Sequence, residues 1–269
     1  MSTPLRIAGV GMRFGGLWAL NEVSFTVEPG TIVGLIGPNG SGKTTLMNVI
    51  SGVFKPTKGD VFYGERRIAD VPTHAICRLG IARTFQIVKP FAALTVRENV
   101  AVGAMYGRDG AKRSTRASFA RADELLETVG LARVAGRPAS ELTIPDRKRL
   151  EVAKALALDP ELLLLDEVMA GLNATEVDEA LDLLRRVHAR GVTLIVVEHL
   201  MKAIVSISQR VVVLAEGKKI AEGSPSEVLS APNVIEAYLG SRWAKRQAEL
   251  RAIDDERRVA LEVEPPEDA

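Results

Sequence analysis

The octapeptide GPNGSGKT, residues 37–44, sets glycine, lysine and threonine at the spacing G-x-x-x-x-G-K-[ST]. Gly37, Gly40 and Gly42 let backbone N–H groups converge on phosphate oxygens without side-chain clashes. A helix opening behind them adds unpaired N–H groups and the positive end of its dipole. Lys43 can reach the outer phosphates of a nucleotide, and Thr44 can hold Mg²⁺. Pro38, Asn39, Ser41 and Thr45 complete the cradle. A second cluster ends the run LLLLDE, 162–167. Asp166 at that strand end is placed to bind Mg²⁺, directly or through water. Glu167 could polarise an attacking water as general base. A third candidate, His199, follows the apolar run 192–197 and could contact a γ-phosphate and fix the water. The chemistry these residues imply is hydrolysis of a phosphoanhydride.

Three strands must position them. TIVGLI (31–36) is apolar throughout and precedes the glycine loop, and a helix follows the loop. ELLLLDE (161–167) and VTLIVVE (192–198) are apolar runs of the kind buried on both faces. All three candidate groups sit at carboxyl ends of strands, the edge where doubly wound sheets bind ligands. Upstream, Val23, Phe25 and Val27 fall on one face of a strand that turns at Pro29-Gly30. Residues 60–92 are mixed and turn-rich. Residues 95–158 read as mostly helical, with the polar stretch GRDGAKRSTR as a loop. A helix over 174–190 is specified by an Asn173/Glu176 cap, by Val177, Ala180, Leu181, Leu184 and Val187 at helical spacing, and by Gly191 as a stop. QRVVVLAEGKKIAEG reads as a hairpin turning near Gly217, and Ser224-Pro225-Ser226-Glu227 as a second capping box. Alternating strands and helices imply a mostly parallel sheet with antiparallel additions at both ends.

Composition narrows the class. Of the 269 residues 46% are hydrophobic, enough for a real core, and the net charge of +1 gives no bulk attraction to nucleic acid. A single cysteine, Cys77, excludes an intrachain disulfide framework. No apolar run approaches 18 residues and the N-terminus lacks an export pattern, so the expectation is a cytoplasmic protein. From Ser241 onward six basic and eight acidic side chains alternate, which predicts a tail that is partly helical or disordered.

Taken in order, GPNGSGKTT (37–45), RTFQ (83–86), LLLLDE (162–167), AGLN (170–173) and VVEH (196–199) resemble the ATP-binding cassette (ABC) ATPases over roughly residues 5–240. GIARTFQ, LTVRENV, AGLNATE and GKKIAEGSPSEV…VIEAYLG look like the ATPase subunits of importers of branched-chain or other hydrophobic amino acids, and a urea or amide importer would look similar. The resemblance implies an α/β fold: a P-loop NTPase of the ABC type with a mostly parallel core sheet, an antiparallel β subdomain and a helical subdomain. It assigns residues 1–240 to the cassette, about 95–158 to the helical subdomain and 241–269 to a charged tail. It implies ATP and Mg²⁺ as cofactors, and hydrolysis driven by closure of a dimer. It also implies transmembrane permease subunits as partners, a second ATPase subunit (identical or paralogous), an indirect solute-binding protein, and attachment to the inner face of the plasma membrane through the permease. It makes Phe14 the adenine-stacking aromatic and Gln86 the glutamine that meets Mg²⁺ and the water. A cassette acting on DNA or ribosomes is disfavoured, because a basic stripe and coiled-coil insertions are missing.

One segment departs from the pattern. Where the family usually reads Leu-Ser-Gly-Gly-Gln, the matching residues are Leu142, Thr143, Ile144, Pro145 and Asp146. The resemblance gives this loop a contact with the partner subunit's γ-phosphate, through Thr143 and Asp146. Thr143 keeps a hydroxyl, Pro145 lacks an N–H, and Asp146 brings negative charge. Thr143 and Asp146 are equally well explained as a capping box. Arg147, Lys148 and Arg149 read either as a solvated face or as counter-charges. Val168 stands where proline is usual. Asn173 stands where aspartate is usual and serves equally as a cap. Two readings stay open: a self-sufficient ATPase, and a subunit that needs a paralogous partner for turnover.

Overall fold

The computed structural model describes residues 3–85, 90–108 and 113–239. The chain opens with β1 (Leu5–Phe14) and β2 (Leu17–Val27), then β3 (Ile32–Ile36) and α1 (Lys43–Ile50). β4 (Lys58–Tyr63), β5 (Arg66–Arg67), α2 (Thr73–Arg78) and β6 (Ile81–Arg83) occupy the stretch that reads as turn-rich. Strands of two and three residues are too short to show a period. Three helices follow, α3 (Val96–Tyr106), α4 (Thr115–Val129) and α5 (Ile144–Leu156). Then come β7 (Leu162–Asp166), α6 (Ala174–Ala189), β8 (Thr193–Val197) and α7 (Met201–Ile207). β9 (Arg210–Ala215), β10 (Lys218–Gly223), α8 (Pro225–Ser230) and α9 (Pro232–Leu239) close the described chain. The predicted tail, 241–269, lies outside the described residues.

The strands form two sheets. One runs β10-β9-β3-β8-β7-β6, parallel except for β10, and the other is antiparallel in the order β2-β1-β4-β5. All residues of β3, β7 and β8 are buried. Period-two alternation divides these strands between two cores. Leu163, Leu165, Leu194 and Val196 face α3–α5 and α6. Leu162, Leu164, Ile195 and Val197 face α1 and the antiparallel sheet, where Leu5, Ile7, Val23, Phe25 and Val27 point inward.

Local signals act as their chemistry dictates. Asn173 and Glu176 form a reciprocal capping box on α6, as do Ser224 and Glu227 on α8. The β9–β10 hairpin turns at Glu216 and Gly217, both at positive φ. Thr95 and Glu98 make a third box at the start of α3. Buried beside it, Asn99 accepts the Phe91 N–H at 2.8 Å and donates to the carbonyls of Phe91, Leu94 and Thr95 at 3.0, 3.3 and 2.9 Å. This one amide therefore fixes the chain entering the helical layer. Asn99→Ala should destabilise the protein by about 1–3 kcal/mol, since several backbone groups lose their partner. Urea unfolding measures the loss, and amide exchange at residues 91–95 should rise more than elsewhere. Unchanged exchange there would show that the side chain fixes nothing.

Candidate functional site

The glycine loop leaves β3 and is pressed against two neighbours. A Cβ at Gly37 would lie 2.1 Å from the Leu214 carbonyl oxygen, and one at Gly42 would lie 2.6 Å from that of Ala19. Gly42 is also left-handed, with φ of 103°, and caps α1 without a side-chain bond. The first amides of α1 therefore face the cleft uncapped by any side chain. Lys43 lies back over the loop. Its Nζ donates to the carbonyls of Gly37 at 2.7 Å and Pro38 at 3.0 Å, and to Ser41 Oγ at 3.4 Å. Burial pulls the Lys43 ammonium below its ordinary pKa, while Glu167 and Asp166 act in the opposite direction. Ala19, residues 39–45, Glu167 and His199 line a cleft of about 540 Å³, within the size range of small-ligand sites.

Asp166 is almost wholly buried at the end of β7. Its N–H donates to Thr84 Oγ1 at 3.1 Å, and its Oδ2 accepts from Arg83 at 2.8 Å. Arg83 also donates to Asn48 Oδ1 and Ser51 Oγ. Oδ1 of Asp166 is buried with no hydrogen-bond partner among the described residues. A carboxylate oxygen left in that state fits a hard cation brought in with phosphate. Thr44 lines the same cleft. Gln86, the other predicted metal ligand, lies outside the described residues. Among the described residues no three His, Cys, Asp or Glu side chains gather into a cluster of their own.

Glu167 follows in a left-handed backbone conformation, φ 51°, which a non-glycine residue holds only when its surroundings fix it. Its N–H donates to the Val197 carbonyl at 2.9 Å. Its Oε1 lies 2.5 Å from His199 Nε2. A carboxylate can only accept, so Nε2 carries the proton.

The remaining predicted residues lie elsewhere. Phe14 ends β1, is 44% exposed, and meets Phe54 edge-to-face at 5.4 Å. Thr143 and Asp146 stand at the start of α5, outside the cleft walls. Only half of the expected capping box forms there. Thr143 Oγ1 accepts the Asp146 N–H at 3.3 Å, but the Asp146 carboxylate faces Arg149 at 3.8 Å instead of returning to Thr143. The three consecutive cations near the start of α5 all find partners within the chain: Arg147 on the Ser140 carbonyl, Lys148 on the Glu167 carbonyl, and Arg149 on Glu179.

The sequence profile described as ABC transporter matches residues 20–170, more than half the chain. The chain belongs to the ABC transporter family. A second profile, described as branched-chain amino acid ATP-binding cassette transporter, matches residues 218–244. The high-affinity branched-chain amino acid transport ATP-binding protein LivG of Salmonella typhimurium is 41% identical over 255 residues, covering 89% of this chain and 99% of that protein. BraF of Pseudomonas aeruginosa, of the same description, is 38% identical over 253 residues with the same coverage. Among solved structures, the ADP conformation of MJ1267, an ATP-binding cassette of an ABC transporter, matches with a TM-score of 0.80 at 30% identity. That match covers 90% of this chain and all of that one. Dimeric MJ0796, a bacterial ABC transporter cassette, matches at 0.75 with 25% identity, over 82% of this chain and 98% of that one. This chain is thus an ABC cassette and an ATPase, with the mixed α/β fold expected of one.

Four residues of the cassette's site escaped sequence reasoning. Arg83 stood inside a quoted motif, but only the fold shows that it grips Asp166. Lys148 was one of three consecutive cations with no way to rank them. Tyr238, on α9, has its hydroxyl pushed up to about 12 by burial, while the Gly37 N–H bonds to its oxygen and opposes that shift. Glu198 is buried, and its Oε1 accepts the Met169 N–H at 2.7 Å. Burial, with Glu167 adding to it, pushes the Glu198 carboxyl up to about 7, against the Met169 and His199 N–H groups and Lys148.

That shift has a sign for stability. Between the ordinary glutamate value near 4.5 and about 7, the folded cassette binds more protons than the unfolded chain. Stability therefore falls as pH rises through that window and stays lowered above it, by up to about 3 kcal/mol. Glu198→Gln keeps an acceptor for Met169 and removes the charge. It should stabilise the protein at pH 8, leave it nearly unchanged at pH 5, and flatten the pH dependence of the urea midpoint. Equal effects at both values would mean that Glu198 is ionised throughout the range.

Proposed function

We propose that this cassette binds ATP with Mg²⁺ in the cleft below β3, β7 and β8. Its hydrolysis would power import of branched-chain or other hydrophobic amino acids through a membrane permease. One observation carries the reading: Lys43, Glu167 and His199 line a single cleft, with Asp166 close enough to act on the Lys43 charge, in a chain whose residues 218–244 match the branched-chain cassette profile. The loop amides of residues 37–45 and Lys43 hold the β- and γ-phosphates, and Phe14 stacks on the adenine. Thr44, Asp166 through Oδ1, and Gln86 would hold Mg²⁺, whose charge would neutralise the phosphate oxygens. Glu167 takes a proton from the attacking water while the water oxygen bonds to the γ-phosphorus. The bond from that phosphorus to the bridging oxygen breaks, the bridging oxygen keeps the electron pair, and ADP leaves. His199 fixes the Glu167 carboxylate through Nε2–H.

Two such subunits, head to tail, would close over two ATP molecules, each meeting Thr143 and Asp146 of the opposite chain. ATP adds attraction only in the closed state, so it shifts the open–closed equilibrium. Residues 1–240 would form the cassette, with about 95–158 as its helical subdomain. Permease subunits would dock near Gln86 to Phe91 and hold the cassette at the inner face of the membrane, in a complex served by a solute-binding protein. No described helix is long and apolar enough to cross a membrane. A second reading rests on the start of α5, where Pro145 offers no N–H and Asp146 brings negative charge. In that reading a paralogous subunit supplies the stronger contact, and this chain turns over only in its company.

Glu167→Gln should lower turnover by roughly 100-fold or more while Mg·ATP still binds, trapping an ATP-loaded dimer. Rapid-quench kinetics and size-exclusion chromatography read both effects. Normal turnover by this variant would remove Glu167 from the role of base. Wild-type chain that binds Mg·ATP but hydrolyses it only when mixed with a paralogue would select the second reading.

A further inference from the structure

Glu167 begins a tight turn, Glu167–Ala170, in which the Ala170 N–H returns to the Glu167 carbonyl at 3.3 Å. Two charged side chains from different parts of the fold hold the backbone of this turn. Lys148, on α5, donates its Nζ to the Glu167 carbonyl at 3.0 Å. Glu198, just past β8, accepts the Met169 N–H at 2.7 Å. Between them Val168 is 5% exposed and shares a small crevice with Lys148, Val152 and Leu172. Nothing in the turn's own sequence stiffens it, since Val168 has both an N–H and a free φ.

We infer that Lys148 is a positioning residue for hydrolysis: its ammonium holds the Glu167–Ala170 turn so that Glu167 keeps its left-handed backbone and its carboxylate stays on His199. The inference rests on the reading of Glu167 as base. The physics is local. A left-handed glutamate has a more favourable conformer close by, and a bond to its own carbonyl is the direct means of holding the peptide plane that follows. A charged donor makes that bond stronger than a neutral one, because the site is partly buried. Lys148 also belongs to α5, which packs with α3 and α4 in the helical layer, whereas the turn belongs to the core sheet. A shift of that layer would change the Lys148 contact together with the packing of Val168 against α5. The helical layer thereby gains a direct hold on the base.

The test compares full-length wild type, Lys148→Gln and Lys148→Arg by steady-state turnover, calorimetric Mg·ATP affinity and amide exchange over residues 166–172. Lys148→Gln should lose at least tenfold in kcat and keep its Mg·ATP Kd within twofold. Exchange at Met169 and Ala170 should quicken about tenfold or more, and Lys148→Arg should recover most of both losses. Any one of three results overturns the inference. They are turnover within twofold of wild type in Lys148→Gln, unchanged exchange in the turn, and an arginine variant no better than the glutamine one. A fall in affinity that matches the fall in kcat also overturns it, since that marks general misfolding of the cleft. Exchange is read without turnover, so a chain that is silent alone still decides the point. Failure of the underlying reading looks different: Glu167→Gln would turn over normally whatever Lys148 does.

Discussion

The cleft exists because three parallel strands end within one residue of one another. β3, β8 and β7 are neighbours in the sheet, and their registers align Leu35 with Val197 and Val197 with Asp166. One or two residues on, each chain is released at the same edge: the loop from Gly37, the turn from Glu167, and Glu198-His199. A slip of one residue in any pair would turn every side chain of that strand to the opposite core. Leucine and valine fill both faces of these strands, so such a slip would be paid for mainly by the polar ends. Asp166 would then leave Arg83, and the Glu167 N–H would leave the Val197 carbonyl. Register and catalytic geometry are thus fixed by the same few contacts.

Charge at this edge is dense and mostly buried. Arg83 and Asp166 are nearly inaccessible as a pair, an arrangement whose desolvation cost can offset its attraction. Its value lies in orientation. Arg83 occupies Oδ2 and leaves Oδ1 without a partner among the described residues, and its bonds to Asn48 and Ser51 tie that orientation to α1, the helix that begins at Lys43. The Asp166 carboxylate and the helix that follows the glycine loop are therefore linked through one guanidinium, whose rigid fork suits several acceptors at once. Glu198 adds a second buried carboxylate, whose pKa is raised chiefly by that burial.

Much of this was legible in the residues. The three strands announced themselves by unbroken apolar runs, α6 and α8 by their caps, and the phosphate loop by glycines that the fold demands at 37 and 42. What escaped was long-range. Nothing near Arg83 in sequence says that Asp166, 83 residues on, will be its partner. Nothing distinguishes Lys148 from Arg147 and Arg149 until α5 is laid against the turn after β7. Glu198 reads as an ordinary strand-end acid until its burial is known. Periodicity reports which face of an element is apolar. It carries no information on which charged side chain crosses between elements.

The start of α5 shows how local folding and site chemistry can part company. Thr143 as cap, Pro145 in the first turn and Asp146 beside Arg149 make a sound helix N-terminus, each residue where its missing or surplus hydrogen bond costs little. The same three choices alter what the terminus offers to an anion. Proline removes a donor, the aspartate places a negative charge beside the remaining amides, and Ile144 exposes an apolar side chain at the tip. Thr143 retains its O–H, because the cap uses only a lone pair of the oxygen. A phosphate meeting this edge would thus find one hydroxyl donor and a dipole partly cancelled by Asp146, itself partly cancelled by Arg149. Thr143 caps the helix from within the chain, while Pro145 and Asp146 set how strongly a phosphate would be held there.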